Sequence, residues 1–312
     1  MSGEFGLIDW IRERSRSAST RVTLGIGDDC AGLALTPGAE VLVTTDMLMD
    51  GRHFRLGDAT PAQVGYKALA VNLSDIAAMA GVPVAAFVAV ALPRSSAAEV
   101  ARGLLEGMIP LLARFNVALA GGDTNAWDGP LVVSITVVGE ATPLGPVRRS
   151  GARPGDVVLV TGPLGGSLLG RHLHPSPRVA EALALAGAAP IHAMLDLSDG
   201  LAGDLGHILA ESGGLGATLE AASIPIHPDA LAMSRTSGRT PVDHALRDGE
   251  DFELCLTLGS LDAARLLRDP PPGVTLHRVG TIDAEPGLRL LAPDGTVAPL
   301  AADGFDHLAP EP

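Results

Sequence analysis

Residues 60–92 read TPAQVGYKALAVNLSDIAAMAGVPVAAFVAVAL, in which a helical pattern is followed directly by an apolar strand pattern. Thr60 and Pro61 indicate a helix start, because proline fits the first helical position, where its missing N–H group would have had no partner. The helix is predicted to end near the Gly-Val-Pro sequence, and residues 84–92 are predicted to form a strand. Asp75 therefore lies on a helix of small and apolar residues.

Helices and strands are mixed on both sides of this stretch. Further strands are predicted at residues 41–45, 117–120, 131–139, 157–161, 252–258 and 274–280. Further helices are predicted at residues 6–12, 96–115, 167–173 and 199–211. Because the elements do not alternate strictly, the pattern favours an α+β or mixed α/β fold over a doubly wound parallel sheet.

Two local signals bear on the boundaries of these elements. Ser96 and Glu99 have the spacing of a capping box at the start of a long helix, and Pro110 is expected to kink or divide that helix. The turn-rich sequence RSGARPGD near residues 149–156 favours a domain boundary. Two domains are therefore predicted, residues 1–148 and residues 149–312.

Charge and composition exclude several classes of protein. The 312 residues include 22 Lys+Arg and 36 Asp+Glu, for a net charge of −14, which argues against binding of nucleic acid or anionic membranes. Lys67 is the only lysine and follows no glycine-rich loop, so a Walker-type phosphate loop is excluded. With no secretory signal pattern and no apolar run long enough to span a membrane, a soluble cytoplasmic protein is expected.

A set of aspartates lies at apolar segments and is flanked by Gly, Thr or Ser. Its members are Asp28 and Asp29 in GIGDDC, Asp46 in VTTD, Asp75 in VNLSD, Asp123 in AGGD, and Asp196 and Asp199 in LDLSDG. Asp46 and Asp123 are expected directly after their strands. Carboxylates with nearby hydroxyls are hard oxygen ligands that suit Mg²⁺. Taken singly, each of these acids is better explained as an ordinary turn former, and only the recurrence in both halves favours a site.

Two weaker candidates remain open. TGPLGGS at residues 161–167 resembles a phosphate cradle at a helix N-terminus, but an ordinary strand-to-helix turn has the same composition. His53 is either a ligand-binding group or a surface histidine.

The motifs together resemble the thiamine-monophosphate kinase family of the aminoimidazole-ribonucleotide synthetase superfamily. The resemblance extends nearly from end to end and rests on the order and spacing of short motifs: GEFGLI, LGIGDDCA, TTDMLMDGRHF, YKALAVNLSDIAAMAG, AGGDT, RRSGARPGD, LDLSDGLAGDLGHI, GEDFELC and GFDHL. It implies a two-domain subunit of the synthetase-like fold and a homodimer whose N-terminal sheets pair. It also implies transfer of the ATP γ-phosphate to thiamine monophosphate.

The resemblance assigns roles to individual residues. The magnesium positions are Asp29, Thr44, Thr45, Asp46, Asp75, Asp123, Asp196 and Asp199. The ATP positions are Gly122, Asp123, Arg149 and Ser198, and the thiamine-phosphate positions are His53, Glu250 and Phe305. No catalytic general base is implied, because a phosphate acceptor is already largely ionised at neutral pH. Catalysis is then expected from several Mg²⁺ ions and in-line positioning.

The chain departs from the family pattern at three places. The family's nucleotide-contacting tyrosine has no counterpart, and Glu106 lies near its position. Gly165-Gly166-Ser167 replaces a common Gly-Asp-Ser, and Phe305 stands where tryptophan or tyrosine is common. The details of base contact therefore stay open.

Other functions compatible with the sequence are a related ATP-dependent synthetase, such as a selenophosphate synthetase, and a non-catalytic module that senses nucleotides or thiamine phosphates or acts in maturation. The sequence argues against a selenophosphate synthetase, because no reactive cysteine beside a lysine precedes Cys30.

Overall fold

A computed structural model describes residues 4–14 and 19–304 of the chain. The chain divides into two compact units, an N-terminal unit of residues 1–76 and 81–145 and a C-terminal unit of residues 77–80 and 146–312. The change from one unit to the other at residues 145–146 lies close to the domain boundary that the sequence predicts.

The N-terminal unit consists of long strands and two long helices. In chain order its elements are α1 (Glu4–Arg14), β1 (Val22–Leu24), β2 (Gly32–Leu33), β3 (Val41–Met49), α2 (Pro61–Ala78), β4 (Gly81–Pro93), α3 (Ala97–Phe115), β5 (Ala118–Trp127) and β6 (Val132–Ala141). The main sheet has the strand order β3-β6-β4-β5, with β4 and β5 parallel and the other pairs antiparallel. Strands β1 and β2 form a separate short antiparallel pair.

The burial of α2 and β3 explains why these segments fold as they do. On α2, residues 67–74 are all buried, among them the apolar Leu69 and Leu73, so the middle of this helix is enclosed on all sides. On β3, exposed and less exposed residues alternate along the strand, as expected for a strand with one covered face. The covered face of β3 carries Leu42, Thr44, Asp46 and Leu48.

Several boundaries in this unit differ from the sequence prediction. Strand β3 continues past Asp46 to Met49, and β5 runs through Asp123 to Trp127, so both aspartates lie within strands and not after them. In the part of the chain that the structure describes, Ser96 is the N-cap of α3 but its side chain makes no capping hydrogen bond. Helix α3 is continuous through Pro110. The capping box and the division of the helix were wrong predictions.

The C-terminal unit is built on a second sheet. In chain order its elements are β7 (Val157–Val160), α4 (Val179–Ala188), β8 (Ala193–Asp196), α5 (Leu201–Glu211), β9 (Gly216–Glu220), α6 (Pro228–Ser237), α7 (Pro241–Arg247), β10 (Leu254–Leu258), α8 (Ser260–Arg268), β11 (His277–Asp283), β12 (Gly287–Leu291) and β13 (Val297–Leu300). The strand order is β13-β12-β9-β11-β7-β10-β8. Strands β9 and β12 are parallel, and the other neighbours are antiparallel.

The core of this unit explains its strand sequences. Every residue of β7, β8 and β10 is buried, which accounts for their continuous apolar pattern. Residues 167–173, predicted as one helix, form two separate 3₁₀ turns, Ser167–Leu169 and Arg171–Leu173. The mixed α/β class predicted from the sequence is confirmed. No helix among the described residues has the length and apolar character needed to cross a membrane.

Candidate active site

The first group of predicted ligands lies where β3 faces α2. The Thr44 hydroxyl donates a hydrogen bond to the Asp75 carboxylate, and the Asp46 and Asp75 carboxyl groups share a hydrogen bond. Burial, the charge of Asp75 and this shared hydrogen bond, in that order, raise the pKa of Asp46 to about 7. The structure thus brings together three residues that the sequence analysis assigned to a metal.

This donor set fits a divalent cation. Two carboxyl groups in contact cannot both be ionised unless a cation offsets their repulsion, and otherwise one of them keeps its proton. Burial and this repulsion together raise the pKa of Asp46. Carboxylate and hydroxyl oxygens are the hard ligands that Mg²⁺ and similar ions prefer. Thr44, Asp46 and Asp75 are therefore suited to hold such an ion.

The side chain of Thr45 lies on the other face of β3, because neighbouring residues of a strand point to opposite sides. Its Oγ1 accepts a hydrogen bond of 3.0 Å from Thr136 Oγ1 on β6. The structure does not bring this side chain to the Asp46–Asp75 pair, and its predicted role as a ligand stays a prediction.

A second group of predicted residues lies on the edge strand β5. Gly122 is at the point where β5 comes close to β4, and a Cβ atom there would lie 2.0 Å from the carbonyl oxygen of Val88. Only glycine allows this approach. Asp123 follows it and accepts a hydrogen bond of 2.8 Å from Asn125 Nδ2.

The GIGDD segment forms a loop beside this edge. The Asp29 N–H group donates a hydrogen bond of 2.9 Å to Asp28 Oδ1. Gly27 has a φ of +127°, and the Arg12 guanidinium carbon lies 3.1 Å from the place a Cβ would take. A positively charged group from α1 therefore lies against the loop that carries Asp28 and Asp29.

A cavity of about 730 Å³ lies between this loop, the edge of the sheet and two helices. Its polar lining includes Asp28, Asp29 and Asp123. Its apolar lining includes Ile8 and Ile11 of α1 and, from α3, Leu104, Leu105 and Met108. An apolar wall with acids at one side suits a planar ring joined to phosphates that arrive with cations.

The sequence analysis did not identify the residues of α1 and α3 that line this cavity. The only signal was the helical spacing of apolar residues on α3, which equally indicates an ordinary core face.

The register of the sheet separates the two groups of acids in the N-terminal unit. Asp46 pairs with Ile135, Ile135 with Val88, and Val88 with Gly122. Three interstrand spacings of about 4.8 Å place the backbones of Asp46 and Gly122 roughly 14 Å apart. The predicted ligands of this unit therefore form two separate groups along one row of the sheet.

A third acidic group lies in the C-terminal unit at the end of β8. Asp196 is the last residue of β8 and is buried. Asp204 on α5 accepts hydrogen bonds from the N–H groups of Asp199 and Gly200 at 2.9 and 3.1 Å. Burial first, and then the charges of Asp196 and Asp199, raise the pKa of Asp204 to about 8 against the lowering effect of these hydrogen bonds.

Asp204 was missed by the sequence analysis, although it stands in the quoted LDLSDGLAGDLGHI motif. Ligand atoms of Asp199, Asp204 and His207 lie within 4.8 Å of one another, so this group also fits a cation.

Two further predicted residues meet in the C-terminal unit. The Glu250 N–H group donates a hydrogen bond of 2.7 Å to the Ser198 carbonyl oxygen. Glu250 has a φ of +51°, an uncommon conformation for a residue other than glycine that occurs often at functional sites. Arg149, the predicted ATP contact, is exposed.

The structure also decides between the two interpretations of residues 161–167. The N–H groups of Gly165 and Gly166 donate to the carboxylates of Asp251 and Asp248, and the Ser167 hydroxyl donates to the Gly249 carbonyl oxygen. These donors are directed at protein acceptors, and no α-helix follows in residues 167–173. The segment is a structural turn.

The remaining predicted substrate residues are placed as follows. His53 lies on a turn after β3 in the N-terminal unit, with its Nδ1 accepting a hydrogen bond of 3.1 Å from the Met49 N–H group. Phe305 lies outside the described residues. Glu106, near the position of the family's tyrosine, is exposed on α3.

Comparison with known proteins identifies relatives of similar sequence and fold. Residues 27–141 match the family model described as AIR synthase related protein, N-terminal domain. A thiamine-monophosphate kinase of Rhodopirellula baltica is 40% identical over 311 residues, 97% of each chain. The crystal structure of thiamine-monophosphate kinase from Stenotrophomonas maltophilia has a TM-score of 0.80 at 35% identity and covers 95% of this chain and 98% of its own.

A structure described as AaThiL complexed with AMPPCP and TMP has a TM-score of 0.76 at 26% identity, covering 98% of this chain and 97% of its own.

The fold and the matched model define the chain as a protein of the AIR synthase-like class. Within that class the chain belongs to the thiamine-monophosphate kinase family, since a relative is 40% identical over nearly the full length of both chains. The chain is accordingly an enzyme of the kinase type.

Proposed function

We propose that the enzyme transfers the γ-phosphate of ATP directly to thiamine monophosphate, giving thiamine diphosphate and ADP. The names of the relatives support this assignment, as does the AaThiL structure, which contains both AMPPCP and TMP. Within the molecule, the observation that carries it is the half-buried Asp46–Asp75 pair with Thr44, because this group is suited to the cations that accompany two phosphate chains.

The enzyme needs a means of bringing two polyanions together, and its single lysine does not provide it. Lys67, the only lysine, is buried and donates a hydrogen bond to the His53 carbonyl oxygen. The proposed alternative is magnesium held by carboxylate and hydroxyl side chains: Asp29, Thr44, Thr45, Asp46, Asp75, Asp123, Asp196 and Asp199. When bound, Mg²⁺ would neutralise charge on the oxygens of both phosphate chains.

The cavity beside β5 is the proposed site for the nucleotide. Leu104, Leu105 and Met108 of α3 would contact the base. Gly122 and Asp123 would lie near the phosphates, because the close approach of β5 to β4 leaves no side chain at Gly122. Arg149 and Ser198 are proposed as further ATP contacts on the basis of the family resemblance.

The acceptor site is proposed to include His53, Glu250 and Phe305. A carboxylate such as Glu250 complements the positive charge of the thiazolium ring, and an aromatic ring such as Phe305 offers a stacking surface. No general base is required, because the second pKa of a phosphate monoester is about 6 and the attacking oxygen is ionised at neutral pH. The protein's own contribution is then to hold the two phosphates in line.

The chain is also proposed to form a homodimer through its N-terminal sheet. The outer face of β3 exposes Val43 and Met47, 64% and 56% accessible, together with Val41 and Met49. An apolar strand face of this kind favours burial against a partner, and a second copy of the chain satisfies that requirement by symmetry. Residues 1–148 and 149–312 are the proposed domains of each subunit.

The decisive experiment measures products as free Mg²⁺ is varied. Purified enzyme is incubated with ATP and thiamine monophosphate, and ADP and thiamine diphosphate are separated by chromatography. We expect equal amounts of the two products and a rate that keeps rising with Mg²⁺ after all ATP is complexed. ADP formation without thiamine monophosphate would reject the acceptor, and saturation at the ATP concentration would reject the additional magnesium ions.

A further inference from the structure

The chain's only lysine lies beneath the turn that carries His53. Lys67 is on α2, and 1% of its surface is exposed. Its Nζ donates a hydrogen bond of 2.8 Å to the backbone carbonyl oxygen of His53. Burying an ammonium group costs free energy even when it is hydrogen-bonded. A hydrophobic side chain would fill the same space at lower cost, so the position of this charge indicates a role.

The turn that Lys67 contacts is held by its own backbone as well. The His53 N–H group donates to the Met49 carbonyl oxygen at 3.1 Å, and the Gly51 N–H group donates to the Phe54 carbonyl oxygen at 2.7 Å. Phe54 is buried, which anchors the far end of the turn. Lys67 therefore adds a fixed contact at the one residue of this turn that is assigned to the substrate.

The same turn sets the tautomer of His53. The Met49 N–H group donates a hydrogen bond of 3.1 Å to His53 Nδ1. A ring nitrogen that accepts a hydrogen bond carries no proton, so the neutral imidazole keeps its hydrogen on Nε2. An Nε2–H group is a hydrogen-bond donor, and the oxygens of a phosphate monoester are acceptors.

We propose that Lys67 is a positioning residue for the phosphate of the acceptor. By holding the His53 carbonyl oxygen, Lys67 keeps the turn in the conformation in which Met49 selects the Nε2–H tautomer, and His53 donates that hydrogen to the substrate phosphate. This inference rests on the proposed function, and it adds how His53 is presented and which residue presents it.

The kinetic test is Lys67→Met, which removes the charge and keeps nearly the same length and volume. We expect the KM for thiamine monophosphate to rise about tenfold or more, as loss of one well-placed hydrogen bond to a charged group predicts. The KM for ATP should change less than twofold, because the proposed nucleotide cavity does not include this turn. An unchanged KM for thiamine monophosphate in a folded Lys67→Met enzyme would overturn the proposal.

The matched control is Leu69→Val on the same helix. Leu69 is also fully buried, and a separation of two residues places it on the opposite side of α2. We expect this variant to lose stability without changing either KM. If it raised the KM for thiamine monophosphate as much as Lys67→Met does, the effect would come from general loosening of α2, and the proposal would fail.

A spectroscopic measurement tests the tautomer directly. Nitrogen-15 spectra of the histidine rings, with His53 assigned by its loss in His53→Gln, should show the Nε2–H form in the wild-type enzyme and a mixture in Lys67→Met. Glutamine presents an N–H group near the Nε2 position and asparagine near Nδ1, so His53→Asn should raise the KM for thiamine monophosphate more than His53→Gln. A wild-type Nδ1–H form would overturn the proposal.

A single lysine also provides a direct probe of substrate binding. Enzyme labelled with isotopic lysine has one lysine side-chain signal. That signal should shift on addition of thiamine monophosphate and stay in place with a non-hydrolysable ATP analogue. If the wild-type enzyme makes no thiamine diphosphate, the proposed function fails. If it does and either the lysine signal or the KM of Lys67→Met for thiamine monophosphate stays unchanged, this inference alone fails.

Discussion

The surroundings of Asp46 are unfavourable for an ionised carboxyl group. Asp46 is half-buried beside Asp75, and its pKa is raised to about 7. A cation that binds there is attracted by both carboxylates, which repel each other when both are ionised. The same conflict that destabilises the unliganded pair therefore favours metal binding.

Asp46→Asn is predicted to separate activity from stability. Asparagine keeps the shape but weakens the ligand set, so we expect kcat to fall on the order of 10²-fold or more. Thermal stability should not fall, because the repulsion with Asp75 is removed. Product formation at saturating substrates and thermal melting by circular dichroism measure the two effects.

Asp128→Asn is the matched control for this variant. Asp128 is exposed in the same unit and pairs with Arg94 at 2.9 Å on the surface, an interaction of small value. We expect its kcat to equal that of the wild type. An Asp46→Asn enzyme with kcat within twofold of the wild type would show that Asp46 holds no essential metal.

Glu140 at the end of β6 gives a prediction about pH. Burial would raise the pKa of Glu140, but hydrogen bonds from Arg21 and Thr36 outweigh it and hold this pKa below the ordinary 4.5. A carboxylate with a lowered folded-state pKa stabilises the protein above pH 4.5, and this contribution is lost as the pH falls through the folded-state value. We expect Glu140→Gln to lower the unfolding free energy by about 1 kcal/mol at pH 7.

Denaturant unfolding of Glu140→Gln and wild type from pH 3 to pH 7 checks the sign. The difference between the two proteins should shrink as the pH falls below about 4.5. A difference that stays constant over this range would mean that ionised Glu140 gives the fold no particular stability.

The sequence identified site residues where a motif named them and missed those that depend on distant neighbours. Asp46, Asp75 and Thr44 were named, and the structure brings them together. Asp204 was missed, because its raised pKa depends mainly on burial within the packed C-terminal unit, although its hydrogen bonds with the Asp199 and Gly200 N–H groups are local. Arg12 was missed for the same reason, since its contact with Gly27 depends on how α1 packs against the loop.

The boundaries of strands and helices were predicted where they depend on neighbouring residues and missed where they depend on distant ones. The helix start at Pro61 was predicted, because it depends on neighbouring residues alone. Strand β5 was predicted too short, since pairing with β4 extends it through two glycines that weaken strand propensity. Pro110 does not divide α3 because it lies on the exposed side, where water can satisfy the carbonyl that loses its partner.

Gly122→Ala is predicted to disrupt the pairing of β4 and β5. The added Cβ would lie 2.0 Å from the Val88 carbonyl oxygen, so the edge strand must move away. We expect the unfolding free energy to fall by roughly 2–4 kcal/mol, as for other severe steric changes in a packed region. Urea unfolding measures the loss.

Gly57→Ala is the control for this substitution. Gly57 is in the same unit, and a Cβ there would have no atom within 4 Å. We expect its unfolding free energy to stay within about 0.5 kcal/mol of the wild type. If Gly122→Ala were equally harmless, the close approach of the two strands would not be a structural requirement.

Acidic groups are in excess over the whole molecule, which has a net charge of −14 and a single, buried lysine. Acidic groups occur in both units, at Asp46–Asp75 and around Asp204, and each group has a carboxyl pKa raised by burial and by neighbouring acids. Cations that bind only the folded state stabilise it by mass action. We therefore expect Mg²⁺, which the proposed reaction requires, also to raise the stability of the folded protein.

The exposed apolar face of β3 leads to a prediction about assembly. Val43 and Met47 project from the outer side of the sheet, and a strand face of this kind is a common dimer surface. We expect the wild-type chain to sediment as a dimer and Val43→Glu with Met47→Glu as a monomer, because each change buries a charge in the interface. Leu261, 87% exposed on α8, provides the control: Leu261→Glu should stay dimeric. A monomeric wild type at micromolar concentration, or a dimeric double variant, would show that this face has no such partner.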